Sequence, residues 1–223
     1  MIIAIDGPAG SGKSSVAREV ARELGFHYLD TGAMYRALAL EALDAGVGLD
    51  DESQLIALAS EMPIAFVHEG DDPLPTKVLL GGRDVTSDIR APRVDDAVSP
   101  VARLGGVREA MVATQRQLAA DQNIVVEGRD IGTVVFPDAP LKIYLTASPE
   151  ERGRRRAAQQ AEAGATVDAA SVQDAIVRRD HADSSRVHSP LVAASDAVEV
   201  DTTGLTLSQV VATVVELASR PRS

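Results

Sequence analysis

A phosphate-binding motif lies near the start of this 223-residue sequence, where residues 7–14 read GPAGSGKS. The string has the form G-x-x-x-x-G-K-S, in which glycines let backbone N–H groups turn inward around a polyphosphate. The lysine of such a loop, here Lys13, reaches the β- and γ-phosphates, and the hydroxyl that follows it, here Ser14, binds a magnesium ion. The motif therefore predicts a bound nucleoside triphosphate together with Mg²⁺.

The segments on either side supply the context that this motif needs. Residues 1–6, MIIAID, are apolar and predict a buried parallel strand. Val16, Val20 and Leu24 then recur at the spacing of a helix face, and Gly25 ends that helix. A glycine-rich turn without a ligand is the alternative, but the order of strand, loop and helix favours the phosphate loop. We assign triphosphate binding to Gly7, Pro8, Ala9, Gly10, Ser11, Gly12, Lys13, Ser14 and Ser15.

The composition excludes several classes of protein. The chain has no Cys, so disulfides, thiolate metal sites and cysteine catalysis are impossible. The formal net charge is −11, which makes nucleic acid a poor partner. The first residues predict a strand rather than a signal peptide, and no apolar run approaches ~18 residues. We expect a cytoplasmic monomer without membrane contact.

Alternating strand and helix signals predict the architecture. Apolar runs indicate strands at residues 1–6, 26–29, 124–127, 141–145 and 197–201. Helical patterns cover residues 34–43, 53–62, 149–163, 168–182 and 207–217, together with residues 91–121, where we expect breaks near Pro100 and Gly105. This alternation predicts an α/β protein whose mostly parallel sheet carries helices on both faces.

Residues 63–90 have a different character. Two short strand-like runs, IAFV at 64–67 and KVLL at 77–80, are separated by an acidic, proline-containing stretch, and residues 81–85 add a turn and a further short strand. We interpret this segment as a small antiparallel unit inserted into a core that spans residues 1–62 and 91–223.

Polar residues follow three of the predicted strands, at the edge where parallel α/β sheets bind their ligands. The phosphate loop follows the first of these strands. Tyr35 and Arg36 come shortly after the second strand, and Glu127, Arg129 and Asp130 come at the end of the strand at 124–127. Glu127 either orients the water shell of magnesium or forms a cap or salt bridge, and both interpretations stay open. Arg129 either faces the ligand or pairs with Asp130.

Two further groups of arginines favour phosphate ligands. Arg152, Arg155 and Arg156 share one helix face, and guanidinium groups match phosphoryl oxygens in geometry and charge. If the helix extends that far, the spacing of Arg179, Asp183 and Arg186 places them on one face. Two cations with a carboxylate between them suit a ligand with a phosphate and a hydroxylated sugar. Solvated or salt-bridged helix faces are the alternative in both cases.

Several arginines beside one triphosphate loop indicate two phosphate ligands. Phosphoryl transfer depends mainly on positioning and charge stabilisation, and a phosphate acceptor is already ionised near neutral pH. No general base is then required, and the sequence offers no evident His–carboxylate pair. The residues therefore indicate a kinase that acts on a phosphorylated small molecule.

The sequence resembles the bacterial-type cytidylate kinases over essentially its whole length. The resemblance rests on DTGAMYR at 30–36, VRE at 107–109, EGRDIGTVVFPD at 127–138 and RRDHAD at 178–183 followed by Arg186. It implies a nucleoside-monophosphate-kinase-like fold with a five-stranded parallel sheet, a β insertion on the substrate side and a helical lid over about residues 149–186. It also implies transfer of the γ-phosphoryl group of ATP to CMP or dCMP, with Mg²⁺.

The same resemblance implies roles for individual residues. Thr31, Arg108 and Asp130 would contact the cytosine edge, Tyr35 would shape that pocket, and Ser99, Arg179 and Asp183 would contact the base or ribose. Arg36, Arg129 and Arg186 would hold the acceptor phosphate. Charge in the transition state would be stabilised by Lys13, Arg129, Arg152, Arg155, Arg156 and Arg186. Thr31 and Glu127 depart from the Ser and Asp that are frequent in the family at these positions; they keep the chemistry but change size and reach.

Two alternatives remain. A kinase of another small acceptor, such as a different nucleoside monophosphate or shikimate, would share the phosphate loop. A nucleotide-dependent switch protein belongs to another class, but Asn123 is followed by Ile124, so the guanine-reading N-K-x-D motif is absent.

Overall fold

The computed structural model describes residues 1–61, 63–70, 72–162, 169–186 and 188–220. Within them the strands, in chain order, are β1 (Ile2–Asp6), β2 (His27–Asp30), β3 (Ile64–Val67), β4 (Lys77–Leu80), β5 (Arg83–Asp84), β6 (Ile124–Glu127), β7 (Leu141–Thr146) and β8 (Val198–Asp201). The helices are α1 (Lys13–Leu24), α2 (Thr31–Asp44), α3 (Glu52–Glu61), α4 (Pro92–Ala102), α5 (Gly105–Leu118), α6 (Pro149–Glu162), α7 (Ala169–Ser184) and α8 (Leu207–Ser219).

The central sheet has five parallel strands in the order β2-β6-β1-β7-β8, which confirms the predicted fold class. Strand β1 lies in the middle, with Ile3 opposite Val125 on one side and Leu141 on the other. Because this strand is buried on both faces, its sequence is a continuous apolar run rather than an alternating one. The phosphate loop therefore leaves the centre of the sheet, at the carboxyl ends of the strands.

Apolar side chains form two clusters. One joins residues of α2, α4 and α5 with β6, and it also includes Ile64, Val78 and Leu80 of the inserted strands. The other packs α1 and α8 together with β7. Strands β3, β4 and β5 pair antiparallel as a small separate sheet, as predicted, and its apolar residues join the core of the main unit.

Most element bounds lie within two residues of the sequence-based prediction, and the start of α2 and the break before α5 differ for a local reason. Helix α2 begins at Thr31 rather than at residue 34, because the Asp30 side chain accepts a hydrogen bond from the Ala33 N–H and caps the first turn. The breaks predicted near Pro100 and Gly105 correspond to one break at residues 103–104, since Pro100 lies inside α4, which ends at Ala102, and α5 begins at Gly105. There Arg103 and Leu104 turn the chain with bonds to the carbonyl groups of Pro100 and Val101.

A short π-helical turn (Ile131–Val135) follows β6 and fixes the segment that precedes it. The Asp6 carboxylate accepts the N–H groups of Ile131 and Gly132 at 2.8 and 2.7 Å. Arg116 of α5 donates to the carbonyl oxygens of Val134 and Val135 at 2.9 and 2.8 Å. The turn is thus held from two sides, and it places residues 128–130 at the end of the sheet next to the phosphate loop.

Candidate active site

The phosphate loop fits closely between the sheet and helix α6. Gly7 has φ +146°, and a Cβ atom added there would lie 2.1 Å from the Leu145 carbonyl oxygen. Gly10 has φ +76°, and its added Cβ would lie 2.9 Å from the Arg152 carbonyl oxygen. Helix α1 then begins at Lys13 with no acidic residue in its first turn. The free N–H groups and the positive end of this helix therefore face the space that an anion would fill.

Lys13, Ser14 and Glu127 lie together at the mouth of this loop. The buried Lys13 ammonium donates to the Pro8 carbonyl oxygen at 2.7 Å, and burial lowers its pKa. The Ser14 hydroxyl donates to Glu127 Oε2 at 2.9 Å, and the Tyr28 hydroxyl donates to the other carboxylate oxygen. Burial raises the pKa of Glu127 to about 7. The Ser11 hydroxyl is buried without a hydrogen-bond partner among the described residues, as a group awaiting a ligand would be.

Arg108 and Asp130 form a buried ion pair on the opposite side of the crevice. Arg108 also donates to the Ala102 carbonyl oxygen at 2.9 Å, and its guanidinium carbon lies 5.4 Å from the centre of the Tyr35 ring. The Thr31 hydroxyl donates to the Glu127 carbonyl oxygen at 2.7 Å. These four side chains, predicted from the resemblance to form one pocket, lie in one region of the structure.

Asp183 joins Arg129 and Arg186. Arg129 donates through Nε to Asp183 Oδ2 at 2.9 Å, and Arg186 donates to Oδ1 of the same carboxylate. Arg129 also reaches the Gly7 carbonyl oxygen at 3.0 Å, which links this cluster directly to the phosphate loop. Helix α7 ends at Ser184, so Arg186 lies beyond the helix rather than on a helix face shared with Asp183. The side chain of Arg179 lies outside the described part of the chain.

The three arginines of α6 have different sets of partners. Arg152 donates to the Ala9 carbonyl oxygen at 3.1 Å and to Asp180, while the Ala9 N–H donates to Asp180 Oδ1 at 3.1 Å. Arg155 bonds the hydroxyl and the carbonyl oxygen of Thr202 at 2.8 and 2.7 Å. Arg156 lies 3.2 Å from Asp95 of helix α4.

Asp95 also pairs with Arg36, which donates in addition to the Ile89 carbonyl oxygen at 3.3 Å. One carboxylate therefore connects helix α6 to the side of the crevice that holds Tyr35 and Arg108. Ser99 lies half-buried one turn further along α4.

Three carboxylates of the site were missed by sequence reasoning: Asp6, Asp95 and Asp180. Asp6 holds the turn after Asp130, and Asp180 brackets the Ala9 peptide together with Arg152. Only Asp6 had a usable signal, because it is the last residue of a strand that runs directly into the phosphate loop. Asp95 and Asp180 bond partners 61 and 171 residues away in the chain, and no local pattern predicts such pairs.

Comparison with known proteins identifies close relatives. The cytidylate kinase family model matches residues 3–220. A cytidylate kinase from Pelotomaculum thermopropionicum is 49% identical over 220 residues, covering 99% of this chain and 96% of that protein. A cytidylate kinase from Corynebacterium glutamicum is 48% identical, covering 100% and 97% of the two chains.

Among solved structures, an uncharacterized protein from Eubacterium ventriosum aligns over 99% of each chain with a TM-score of 0.54 and 12% sequence identity. At this identity the likeness shows the fold alone. No helix within the described residues is both long and apolar enough to span a membrane.

Proposed function

The chain belongs to the cytidylate kinase family and is thus an ATP-dependent kinase; we propose that its acceptors are CMP and dCMP, giving CDP or dCDP and ADP. The observation that carries this proposal is the contact of Arg129 with both Asp183 and the Gly7 carbonyl oxygen. A guanidinium in that position lies between the phosphate loop and the arginine-lined acceptor side. Such an arrangement suits a donor and an acceptor phosphate held close together.

The donor side consists of the phosphate loop and helix α6. Backbone N–H groups of residues 7–15 would hold the β- and γ-phosphates of ATP, with Lys13 adding a charge. For this role Lys13 must replace its hydrogen bond to the Pro8 carbonyl oxygen with one to phosphate. The Ala9 N–H must likewise replace its hydrogen bond to the Asp180 carboxylate with one to phosphate. Arg152, Arg155 and Arg156 would add charge from the lid as it closes over ATP.

The acceptor side consists of the pocket between Tyr35 and Asp130. Cytosine offers an exocyclic amine donor with acceptors at N3 and O2, which a carboxylate and a guanidinium can satisfy, respectively. Asp130 and Arg108 present these two groups side by side. Uracil would place a carbonyl oxygen against the Asp130 carboxylate, which disfavours it. Thr31 and Ser99 would complete the base contacts, with Arg179 and Asp183 on the ribose.

Arg36, Arg129 and Arg186 would hold the acceptor phosphate. In the structure each of them pairs with a carboxylate, Asp95 or Asp183. Burial lowers the pKa of Arg186, which shows that its charge is costly there without partners. An acceptor phosphate brings further negative charge to these guanidinium groups. Its attacking oxygen forms a bond to the γ-phosphorus as the bond from that phosphorus to the bridging oxygen of ADP breaks.

Magnesium fits the donor set beside the loop. The Ser14 hydroxyl and the Glu127 carboxylate are hard oxygen ligands, and they already contact each other at 2.9 Å. The described residues contain no group of three acidic or histidine side chains that would form an all-protein cage. This suits Mg²⁺, which usually keeps waters and takes phosphate oxygens. When bound, the ion would neutralise charge on the β- and γ-phosphates, with Ser14 as a ligand and Glu127 orienting its water shell.

We extend the proposal to the organisation of the molecule. Residues 1–62 and 91–223 form the kinase core, residues 63–90 are the insertion on the acceptor side, and the lid spans about residues 149–186. We further propose a monomer that acts on small molecules in the cytoplasm, without membrane partners; the acidic net charge speaks against a nucleic-acid partner.

An acceptor panel tests the proposal. ADP release is measured with ATP, magnesium and, in parallel, CMP, dCMP, UMP, AMP or shikimate. We expect strong turnover with CMP and dCMP and little with the others. Turnover with a different acceptor would leave the assignment as a kinase intact but refute the recognition of cytosine by Thr31, Arg108 and Asp130. ATP binding without transfer to any acceptor would favour a nucleotide-dependent switch.

A further inference from the structure

Unsatisfied polar atoms are concentrated at one place in the structure. Nine buried side-chain polar atoms of the described residues have no partner in hydrogen-bond geometry. Four of the nine belong to only three side chains: the Tyr35 hydroxyl, Arg108 Nε, and both the oxygen and the nitrogen of the Gln115 amide. Gln115 is 1% exposed, so bulk water does not serve its amide.

These three side chains are neighbours. Arg108 and Gln115 lie seven residues apart on the buried face of helix α5, which is about two helical turns. The Arg108 guanidinium lies against the Tyr35 ring. Burial raises the pKa of Tyr35 to about 12, while the charge of Arg108 and a hydrogen bond with the Gln115 side chain lower it. The Tyr35 hydroxyl therefore stays protonated near neutral pH and lies beside Gln115.

A packing role does not explain a glutamine at this position. Met111, one turn earlier on the same buried face, is an unbranched apolar side chain in a similarly buried position. The Tyr35 hydroxyl lies near enough to hydrogen-bond the amide, but it can partner only one of the two amide polar atoms. A buried polar atom that keeps no partner carries a free-energy penalty that a methionine of similar length would avoid. Natural structures satisfy nearly all such groups with protein, water or ligand.

We propose that Gln115 is an acceptor-binding residue whose amide, together with the Tyr35 hydroxyl, hydrogen-bonds the pyrimidine base of the acceptor nucleotide. The amide offers both a donor and an acceptor, so it can take the second N4 hydrogen or the second O2 lone pair of cytosine, which single bonds to Asp130 and Arg108 leave unused. The inference rests on the proposed function, because it places the base in the pocket formed by Tyr35, Arg108 and Asp130.

The Gln115→Met variant separates this role from packing. If the amide only partners the Tyr35 hydroxyl, the variant should lose stability, because that hydroxyl is left buried without a partner, and the KM for CMP should not change. If the amide binds the base, we expect the KM for CMP to rise about tenfold or more, as the loss of one or two hydrogen bonds implies. The KM for ATP should not change, and kcat should stay within about threefold.

Gln117→Met is the matched control. Gln117 is exposed on the same helix, two residues from Gln115, and the same substitution there should leave both KM values unchanged. A stable Gln115→Met variant with a wild-type KM for CMP would overturn the inference. If wild type fails to phosphorylate CMP in the same assay, the proposed function fails and takes the inference with it.

A second measurement covers the case in which Gln115→Met does not fold. The side-chain amide NMR signals of Gln115, assigned by their absence in Gln115→Glu, should shift when wild type binds CMP and stay in place when it binds ADP. CMP binding that moves other signals but leaves the Gln115 amide signals unchanged would also overturn the inference.

Discussion

At the scale of single residues, positive charge in this site is balanced by carboxylates before any phosphate binds. Asp183 forms ion pairs with Arg129 and Arg186. Asp180 pairs with Arg152, and Asp130 pairs with Arg108. Each pair is buried or half-buried, where an unpaired charge would be strongly disfavoured. Such pairing keeps the arginines oriented, and substrate phosphates can add to it without assembling the site from disordered side chains.

Lys13→Ala tests the donor side. Removing the ammonium removes charge stabilisation of the γ-phosphoryl group, so we expect kcat to fall by at least about a hundredfold, with CMP binding little changed. Lys77→Ala, which removes an exposed lysine paired with Glu69, is the control and should behave as wild type. Steady-state kinetics and calorimetric CMP titration provide the comparison. Turnover of Lys13→Ala within about threefold of wild type would refute the assigned role.

Asp130→Asn tests how the base is recognised. An amide can donate to the uracil O4 that a carboxylate would repel, so the preference for CMP over UMP in kcat/KM should fall about tenfold or more. CMP binding itself should weaken, because Arg108 loses its buried counter-charge. Asp138→Asn, at an exposed position eight residues further along the chain, is the control. An unchanged selectivity ratio would mean that the base is recognised elsewhere.

Asp6→Asn tests the turn that positions Arg129 and Asp130. Burial raises the pKa of Asp6 from 3.8 to about 6, against the hydrogen bonds from Gly132 and Ile131, which lower it. A folded-state pKa above the unfolded value means that stability is present at low pH and lost as pH rises through about 6. From pH 4 to pH 7 the free energy of unfolding of wild type, measured with denaturant, should therefore fall by about 2 kcal/mol relative to Asp6→Asn. A stability difference between the two proteins that does not vary with pH would contradict this.

At the scale of elements, helix α6 packs on the tip of the phosphate loop. Arg152 and Asp180 bracket the Ala9 peptide, and the Gly10 Cα faces the Arg152 backbone. The loop and the lid are therefore packed so closely that a methyl group added at Gly10 would clash with the backbone of α6. Arg155 extends the same surface, because it joins the carbonyl oxygen of Ser11 to Thr202 after β8.

Gly10→Ala tests this contact, with Gly25→Ala as its matched control. Both glycines have positive φ, +76° and +63°, so both substitutions strain the backbone by about 1 kcal/mol or more. Only the Cβ at position 10 would meet neighbouring backbone atoms, while nothing lies within 4 Å of the one at position 25. We expect a raised KM for ATP in Gly10→Ala alone, with similar losses in melting temperature for the two. An equal KM for ATP in Gly10→Ala and Gly25→Ala would show that ATP binding does not need the close contact between the loop and the lid.

Several elements could be predicted from the sequence and others could not. Strands β3, β4 and β6 begin and end where their apolar runs predict, since turn residues or a change in polarity bound each run. The prediction placed the start of α2 three residues too late, because Asp30, Thr31 and Gly32 have the composition of a loop. The cap that Asp30 forms depends on local geometry, which composition does not show. The helix break predicted near Pro100 lies after Ala102, because a helix near its end tolerates the loss of the one N–H that Pro100 lacks.

At the scale of the whole molecule, long-range pairs bring the site together. Asp95 links Arg36 on the acceptor side with Arg156 on the lid, and Arg129 links the end of β6 with the loop after β1. Lys13 and Ser14 were predictable because their roles follow from a local motif. The order of the strands and the pairings of Asp6, Asp95 and Asp180 were not, because they depend on contacts between segments far apart in the chain.

The central claim is direct transfer of the γ-phosphoryl group from ATP to the phosphate of CMP. ATP labelled with ¹⁸O in the γ-phosphoryl group, incubated with the chain, magnesium and CMP, tests it most directly, with products identified by mass spectrometry. The account predicts that the label appears in the β-phosphoryl group of CDP and that ADP stays unlabelled. Label found in inorganic phosphate, with CMP unchanged, would contradict it.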